Sequence, residues 1–365
     1  MVKNIFSVLT FLFSISFFII VVNTYFSNEE EKKISKNRKL ILQKIENNMS
    51  ELPILVNDTN NVIKFNSGFE TEINKVERNF WKLFKRNILS EKQVKTLTSL
   101  IRKIMKDKNY PILIDEEGGR VTRLSNILNN SFFNQKYFGD IYKINKKIGL
   151  TIYKSYIDTI SIHLQNLGIN INTAPVLDLR HKNAHKIIGN RSFSENSMVV
   201  NKLGQACVKF YKKNKIATVI KHIPGHGKAN TDSHFKLPVV NDDLKLLKKN
   251  DFKCFKNVTS HFAMTAHILY RKVDDKNNAT HSKTLIKRII REDIGFKGIL
   301  ISDDISMKAL RHGIEKNAKL AYQAGCNLTL YCAGKTHELK KLLKETPYID
   351  NFTKKKTSEF YKFLS

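Results

Sequence analysis

Only four cysteines, Cys207, Cys254, Cys326 and Cys332, occur in 365 residues, and none forms a CxxC pair. That excludes a disulfide framework and leaves the redox compartment unread. Cys207 and Cys326 sit in small, mostly apolar contexts, as buried thiols do. Acidic residues are scarce too: 33 Asp and Glu stand against 63 Lys and Arg, a formal charge of +30. Arg-rich clusters, an array of stacking aromatics and a nucleic-acid-binding motif are all missing, which argues against nucleic acid as a partner. The excess is mostly Lys dispersed among Asn and Ile, a bias of A+T-rich codons rather than a binding face. A general attraction to anionic polymers or membrane surfaces is its milder consequence. There is no HExxH pair. His222 and His226 are four apart, but Pro224 and Gly225 between them prevent a shared helix face. No metal or other cofactor is therefore expected. No internal repeat and no second domain are evident.

What is there begins with residues 5–22, a near-continuous apolar run behind Met-Val-Lys-Asn. Eighteen helical residues at ~1.5 Å each reach ~27 Å, close to the hydrocarbon thickness of a bilayer. A cleaved signal has a shorter apolar core and a small-x-small site, and Val-Val-Asn-Thr-Tyr-Phe offers none. Residues 1–27 thus read as a hydrophobic helix anchoring the chain, with a cleaved signal as the alternative. Lys3 lies on one side and the acidic residues 29–31 on the other, which leaves the remainder outside the cytoplasm. Residues 28–52 form a charged tether, 53–350 a single large domain, and 351–365 a basic, aromatic tail able to form a final helix.

Short apolar runs then alternate with helical spacings. Strands are expected at 55–56, 79–86 (NFWKLFKR), 111–115 (PILID), 169–176, 217–220, 261–267 (HFAMTAH), 298–302 (GILIS) and 327–332 (NLTLYC). Helices are expected at 91–106, 198–214, 244–255, 282–293 with Ser282 as N-cap, 307–324 and 337–345. Ile141, Ile144, Ile148, Ile152, Tyr156, Ile160, Leu164 and Leu167 make one long helical stripe, stopped by Gly168. Such alternation argues for a parallel sheet, either a barrel or a doubly wound fold. Polar residues decide. Asp115, Asn172, Lys221-His222, His267, Asp303 and Cys332-Ala333-Gly334 fall at the C-terminal ends of strands. In a barrel those ends converge on one mouth. The expected fold is α/β, a (β/α)8 TIM-type barrel.

The densest gathering of titratable groups is 219–234, VIKHIPGHGKANTDSH, a strand exit broken by Pro224, Gly225 and Gly227. Loops on rigid strands are where chemistry is placed. Asp232 stands two residues from His234, able to orient the imidazole and stabilise its charged form for acid/base work; the bland alternative is a solvated loop histidine. Asp303, in ILISDDISM, can serve as nucleophile, base or metal ligand, or merely cap a helix beginning near Ser306. Asp115 opens DEEGGRVTR, whose glycines permit close approach, so it can accept from sugar hydroxyls or simply end a strand. Arg191 in GNRSF is a ligand contact or a surface charge. His267 is a ligand contact or a support for one.

These blocks (LFKRN, IDEEGGRVTRL, NTAPVLDL, IGNRSFSEN, KHIPGHG…TDSHFKLPVV, MTAHILY, FKGILISDDISMKAL and AGCNLTLYCAG) run in order from about Leu83 to Leu343. In them the chain resembles the single-domain β-N-acetylglucosaminidases of glycoside hydrolase family 3, enzymes of bacterial peptidoglycan recycling. The resemblance implies a barrel with Asp303 as nucleophile and His234 as acid/base, assisted by Asp232. It implies that Asp115, Arg123, Arg191, Lys221 and His222 bind the terminal sugar and that the substrate is a muropeptide carbohydrate. A monomer is assumed, since the sequence carries no signal of oligomeric state. The chain departs from the pattern in its apolar leader, since such members are cytoplasmic, and in Ile223 and Asn190, where the family has Phe and Asp. Competing readings are a family 3 β-glucosidase, a phosphorolytic variant, a metal-dependent barrel hydrolase, and a membrane-tethered glycan-binding protein without turnover. The leader generates a direct expectation: a reporter fused after Leu52 is exported, and a reporter that stays cytosolic overturns the assignment.

Overall fold

Alternate residues along the strand runs differ in what they must face, and this period of two sorts the whole sheet. A computed structural model of the chain describes residues 88, 90–182, 184–229, 231–233 and 236–365. All lie in the second of two compact units, Arg78–Ser365, the first being Met1–Glu77. The hydrophobic segment 1–27, the tether 28–52 and the strands expected at 55–56 and 79–86 lie outside the described residues. Among those described, no helix is long and apolar enough to cross a membrane.

Strands β1 (Leu113–Ile114), β2 (Ile171–Asn172), β3 (Ala217–Ile223), β5 (Phe262–Thr265), β7 (Ile299–Asp304) and β8 (Leu328–Leu330) pair in that order, each neighbour parallel. β4 (Val239–Val240) and β6 (Leu269–Tyr270) form a separate parallel pair. The order of the main sheet never reverses. A doubly wound sheet contains a point where it does. A sheet that advances by one handed crossover after another curls toward closure, as in a (β/α)8-like TIM-type fold.

The register separates two apolar layers. Ile171, Ala217, Val219, Phe262, Met264, Ile299 and Ile301 pack with one another inside the curl. Ile114, Ile220, Ala263 and Leu300 point the other way, into the layer shared with the helices. Parallel strands covered on both faces are apolar throughout, so their interior and exterior positions look alike in the sequence.

The expected long stripe is two helices, α2 (Gln135–Ile144) and α3 (Lys146–Asn166), behind α1 (Glu91–Met105). Asn145 breaks it with an extended backbone, and its side chain caps α3 by accepting from Ile148 N at 3.0 Å. The buried face is Tyr153, Ile157, Ile160 and Leu164, while Ile144, Ile148 and Ile152 are exposed. A three-to-four spacing crosses a cap without changing, so periodicity alone could not see the break. Between α4 (Ser197–Lys213) and the C-terminus, α5 (Leu244–Lys249) is followed by a separate 3-10 turn, Phe252–Phe255. Leu285–Asp293 is π-helical, with Ser282 Oγ accepting from Leu285 N at 3.0 Å. Helix α6 begins at Ile314 (Ile314–Ala324) rather than near Ser306, because residues after β7 are spent in turns closed on Asp304 and Met307.

Residues read as a tail form α8 (Asn351–Leu364), after α7 (Thr336–Glu345). Its Phe360 is buried in the layer inside the curl, edge-on to Phe262 at 5.2 Å between ring centroids. Thr353 Oγ1 accepts from Asn327 Nδ2 at 2.8 Å, and Tyr361 OH donates to Asp107 at 2.6 Å. The basic, aromatic composition is that of a plug with a charged outer face. Phe360→Ala leaves a cavity there and is expected to cost about 3–5 kcal/mol in denaturant unfolding; a loss under about 1 kcal/mol contradicts this packing role.

Candidate active site

The parity that sends Ile171, Val219 and Ile301 inward sends the next residues of each strand line, Thr173, Lys221 and Asp303, to the C-terminal mouth. Asp115 follows Leu113 in the same way. There the charges meet. Asp115 accepts from Thr173 Oγ1 at 2.6 Å, from Arg123 Nη2 at 2.7 Å and from Lys221 Nζ. Lys221 also reaches Glu117 at 2.6 Å. Glu117 takes Arg191 in a fork, Nε at 2.8 Å and Nη2 at 2.7 Å. The Lys221, Glu117 and Arg191 side chains are all buried.

Burial pushes the Asp115 carboxyl up, but Lys221 and Arg123 outweigh it and hold the group well below the usual carboxylate range. Glu117 is likewise held low, Arg191 and Lys221 overcoming burial. Burial works against the Arg191 cation, and Glu117 reverses it. Three cations thus face two carboxylates, a surplus of one positive charge.

Glu116 faces away and does a different job. It accepts from Arg123 N at 2.7 Å, Leu124 N at 3.0 Å, Thr122 Oγ1 at 3.1 Å and Asn130 Nδ2 at 2.6 Å, so it shapes the turn that delivers Arg123. Gly118, at φ +81°, lets that turn close, since a Cβ would lie 2.4 Å from the Phe133 carbonyl oxygen.

Pairing of β3 with β5 slips by one residue between Lys221 and Ile223, and the Lys221–His222 peptide is cis. His222 turns to Asp178, Nδ1 to Oδ2 at 2.7 Å. The other oxygen of Asp178 accepts from His222 N at 3.2 Å and His226 N at 2.6 Å, which ties down the PGHG loop. Gly227 is required next because a Cβ would sit 1.8 Å from Leu179 O. His226 Nε2 bonds Ser233 Oγ at 3.2 Å, and Ser233 O accepts from Ala309 N at 3.2 Å. Ser233 is therefore held to both the PGHG loop and the turn after β7.

Asp303 is half-buried at the end of β7, and its Oδ1 accepts from Asp304 N at 2.8 Å. Asp304 does not cap a helix. Its carboxylate takes Ser306 N at 3.0 Å and Cys332 N at 3.1 Å, tying β7 to the exit of β8. His267 Nε2 lies 3.0 Å from Asp304 O, which can only accept. That edge is N–H, so Nδ1 accepts from Thr280 Oγ1 at 2.7 Å. His267 is thus a brace for the strand tip. Burial, followed by the Asp304, Asp303 and Asp115 carboxylates, pushes the Cys332 thiol far up. Asp303 and Asp115 therefore act on one common neighbour.

Of the residues expected from sequence, Asp115, Arg123, Arg191 and Lys221 form one bonded cluster, and Asp303 shares its mouth. His222 belongs to the adjoining Asp178 network. Asp232 is half-buried, its carbonyl accepting from Lys236 N at 3.1 Å. His234 lies outside the described residues. Asn172, read as a mouth residue, faces the helices and donates to Tyr211 OH at 3.0 Å; Thr173 takes the mouth position instead. Glu117, Thr173, Asp178 and His226 also belong here and are not among the residues expected from sequence. The adjacent acids of DEEGG were the one available signal, since a buried carboxylate demands a cation. Among the described residues, no group of three or more His, Cys, Asp or Glu is arranged to hold a metal.

The glycosyl hydrolase family 3 N-terminal domain profile matches residues 64–351. This chain belongs to glycosyl hydrolase family 3. It is a glycoside hydrolase. A β-hexosaminidase of Neisseria gonorrhoeae is 34% identical over 259 residues, 68% of this chain and 70% of that one. A β-hexosaminidase of Hydrogenovibrio crunogenus is 32% identical over 255 residues, again 68% and 70%. A crystal structure of NagZ from Neisseria gonorrhoeae with N-trifluoroacetyl-D-glucosamine superposes with TM-score 0.67 at 30% identity, over 77% of this chain and 81% of that one. A fungal multi-domain family 3 β-N-acetylglucosaminidase gives TM-score 0.68 at 28% identity, over 77% of this chain but only 35% of its own length.

Burial, then His222, pushes the His226 imidazole down to about 4. Unfolded, such a ring titrates near 6.5, so between the two values the unfolded chain binds more protons and stability rises with pH. His226 alone is worth up to about 3 kcal/mol across that window. The depressed carboxylates of Asp115, Glu117 and Asp178 act lower, their stabilisation being present above the ordinary carboxylate value and lost as pH falls below it. Denaturant melts from pH 4 to 6.5 are expected to show rising stability, and His226→Gln to flatten the rise. An unchanged slope in that variant contradicts the assignment.

Proposed function

We propose that this chain is a retaining exo-β-N-acetylglucosaminidase that removes terminal β-linked N-acetylglucosamine from cell-wall muropeptides. Asp303 attacks the anomeric carbon as the bond to the leaving oxygen breaks. His234, assisted by Asp232, gives its proton to that oxygen. Water then attacks the same carbon, returns a proton to His234 and frees Asp303, so two inversions retain configuration. The observation that carries this reading is the bond from Ala309 N to Ser233 O. It joins the loop of the acid/base to the turn that follows the nucleophile.

Asp115, Arg123, Lys221 and Arg191 are the groups for the sugar. A carboxylate forked by Arg and Lys offers fixed acceptors to hydroxyls, and the remaining donors suit sugar oxygens. The surplus positive charge favours an ionised Asp303, as a nucleophile requires. A His/Asp pair in place of a second carboxylate keeps an acid available near neutral pH. The hexosaminidase names of the relatives support N-acetylglucosamine over glucose as the terminal sugar, and the apolar segment 5–22 supports action on the outer side of a membrane. Asp303→Ala is expected to abolish turnover of an aryl N-acetylglucosaminide, and a mechanism-based fluoro-sugar that keeps the 2-acetamido group to label Asp303. Label found on another residue refutes the nucleophile.

A further inference from the structure

Helix α8 closes the end of the barrel opposite the mouth. Its partners are residues that lead into strands. Tyr361 OH donates to Asp107 at 2.6 Å before β1, and Phe363 O accepts from Lys215 Nζ at 3.1 Å before β3. The Phe363 ring lies 4.6 Å from that of His261 before β5, and Thr353 Oγ1 accepts from Asn327 Nδ2 at 2.8 Å before β8. Strand N-termini gather at this pole, since their C-terminal ends form the mouth. Thr353 and Phe360 are the buried side of α8, so its other side is the outer floor of the domain.

Lys354, Lys355 and Lys362 stand exposed on that floor. At its rim, Lys106 and Lys108 precede β1, and Lys213 ends α4, all three exposed. Carboxylates of this face are taken by other groups: Asp107 by Tyr361, Asp350 by Thr353 N at 2.6 Å, and Glu359 by Lys356 at 2.7 Å. Glu292 and Glu345 remain exposed among the lysines. Codon bias accounts for the number of lysines but not for their company. Tyr348 is fully exposed, and Ile349, 59 % exposed, leads directly into α8. Ile104, 67 % exposed, and Met105 end α1 beside Lys106. Nor does helix stability explain Lys354 and Lys355, which lie near the N-terminus of α8, where the helix dipole disfavours cations.

We propose that this floor docks on a bilayer surface carrying anionic lipid. The lysines meet lipid phosphates, and Tyr348, Ile349, Ile104 and Met105 enter the headgroup layer. Apolar tips set among cations match that layer, which is anionic at its surface and apolar just beneath. A polyanion in water leaves the tips wet, and a second copy of the chain brings lysines against lysines. Docked in this way, the mouth opens away from the lipid. The inference goes beyond the reading of the sugar site and does not depend on it.

The test uses the full chain and tryptophan quenching by brominated phosphatidylcholine. Vesicles of phosphatidylcholine alone are compared with vesicles of phosphatidylcholine and phosphatidylglycerol at about 7:3. Tyr348→Trp reports the floor. Ile144→Trp, at a position 86 % exposed where α2 meets the start of α3, reports the mouth side. The wild type supplies the Trp81 background. Quenching in Tyr348→Trp is expected to be about twofold or more greater with phosphatidylglycerol than without. Adding K354A/K355A/K362A, or about 500 mM NaCl, is expected to return it to the phosphatidylcholine value. Ile144→Trp is expected to be indifferent to lipid charge. An unchanged denaturant midpoint shows that the lysine variant is folded, and the salt arm needs no variant. Insertion of the apolar run 5–22 alone does not distinguish the two reporter positions by lipid charge. Equal quenching at both positions, no dependence on phosphatidylglycerol, or no effect of salt overturns the docking face. Salt-sensitive binding of duplex DNA without lipid quenching also overturns it, in favour of a soluble polyanion.

Discussion

Lys221 cannot stand alone where β3 puts it. An ammonium deep in a barrel carries a desolvation penalty of several kcal/mol unless anions meet it, and two do, Asp115 and Glu117. Those carboxylates in turn need Arg123 and Arg191. Each charge makes the next one tolerable, so the mouth is a single chain of ions drawn from the segment after β1, the turn Gly189–Arg191 and β3. Such a cluster contributes little net stability, because desolvation nearly cancels attraction. Its return is orientation: bidentate forks hold oxygens and guanidinium hydrogens in directions that water would not preserve.

Around that cluster the loops are tied to one another rather than to the strands alone. Asp178 gathers two backbone N–H groups and one imidazole, fixing the PGHG turn. His226 passes the constraint to Ser233, and Ser233 to the turn after β7. Arg120 clamps the 186–188 carbonyls from the opposite side. The PGHG loop, Ser233 and the turn after β7 are therefore bonded to one another in sequence.

Much of the fold was legible in the sequence because buried parallel strands are short apolar runs between helical spacings, and ATVI, FAMT and GILIS contain such runs. Helix termini were less legible. The stripe through Ile144 and Ile148 looks continuous because hydrophobic spacing carries no record of a cap, and only the Asn145 side-chain bond divides it. Residues after Asp304 suggest helix by composition yet make turns, since Asp304 satisfies Ser306 and Cys332 instead of starting a helix. The C-terminal aromatics gave no hint of what they would touch, because their partner Phe262 lies some hundred residues away in the chain.

The same division runs through the site. Strand parity is a local property, so the sequence by itself determined that Asp115, Lys221 and Asp303 end strands and share a mouth once the strands curl. Residue identity also determined that glycine must stand at 118 and 227, where no Cβ fits. Which charge neutralises which was decided only in three dimensions. Glu117 and Arg191 are 74 positions apart, and Lys221 and Asp115 are 106 apart. The tertiary structure also chose Thr173 over Asn172 for the mouth, because a shift of one residue in register exchanges the two faces of a strand.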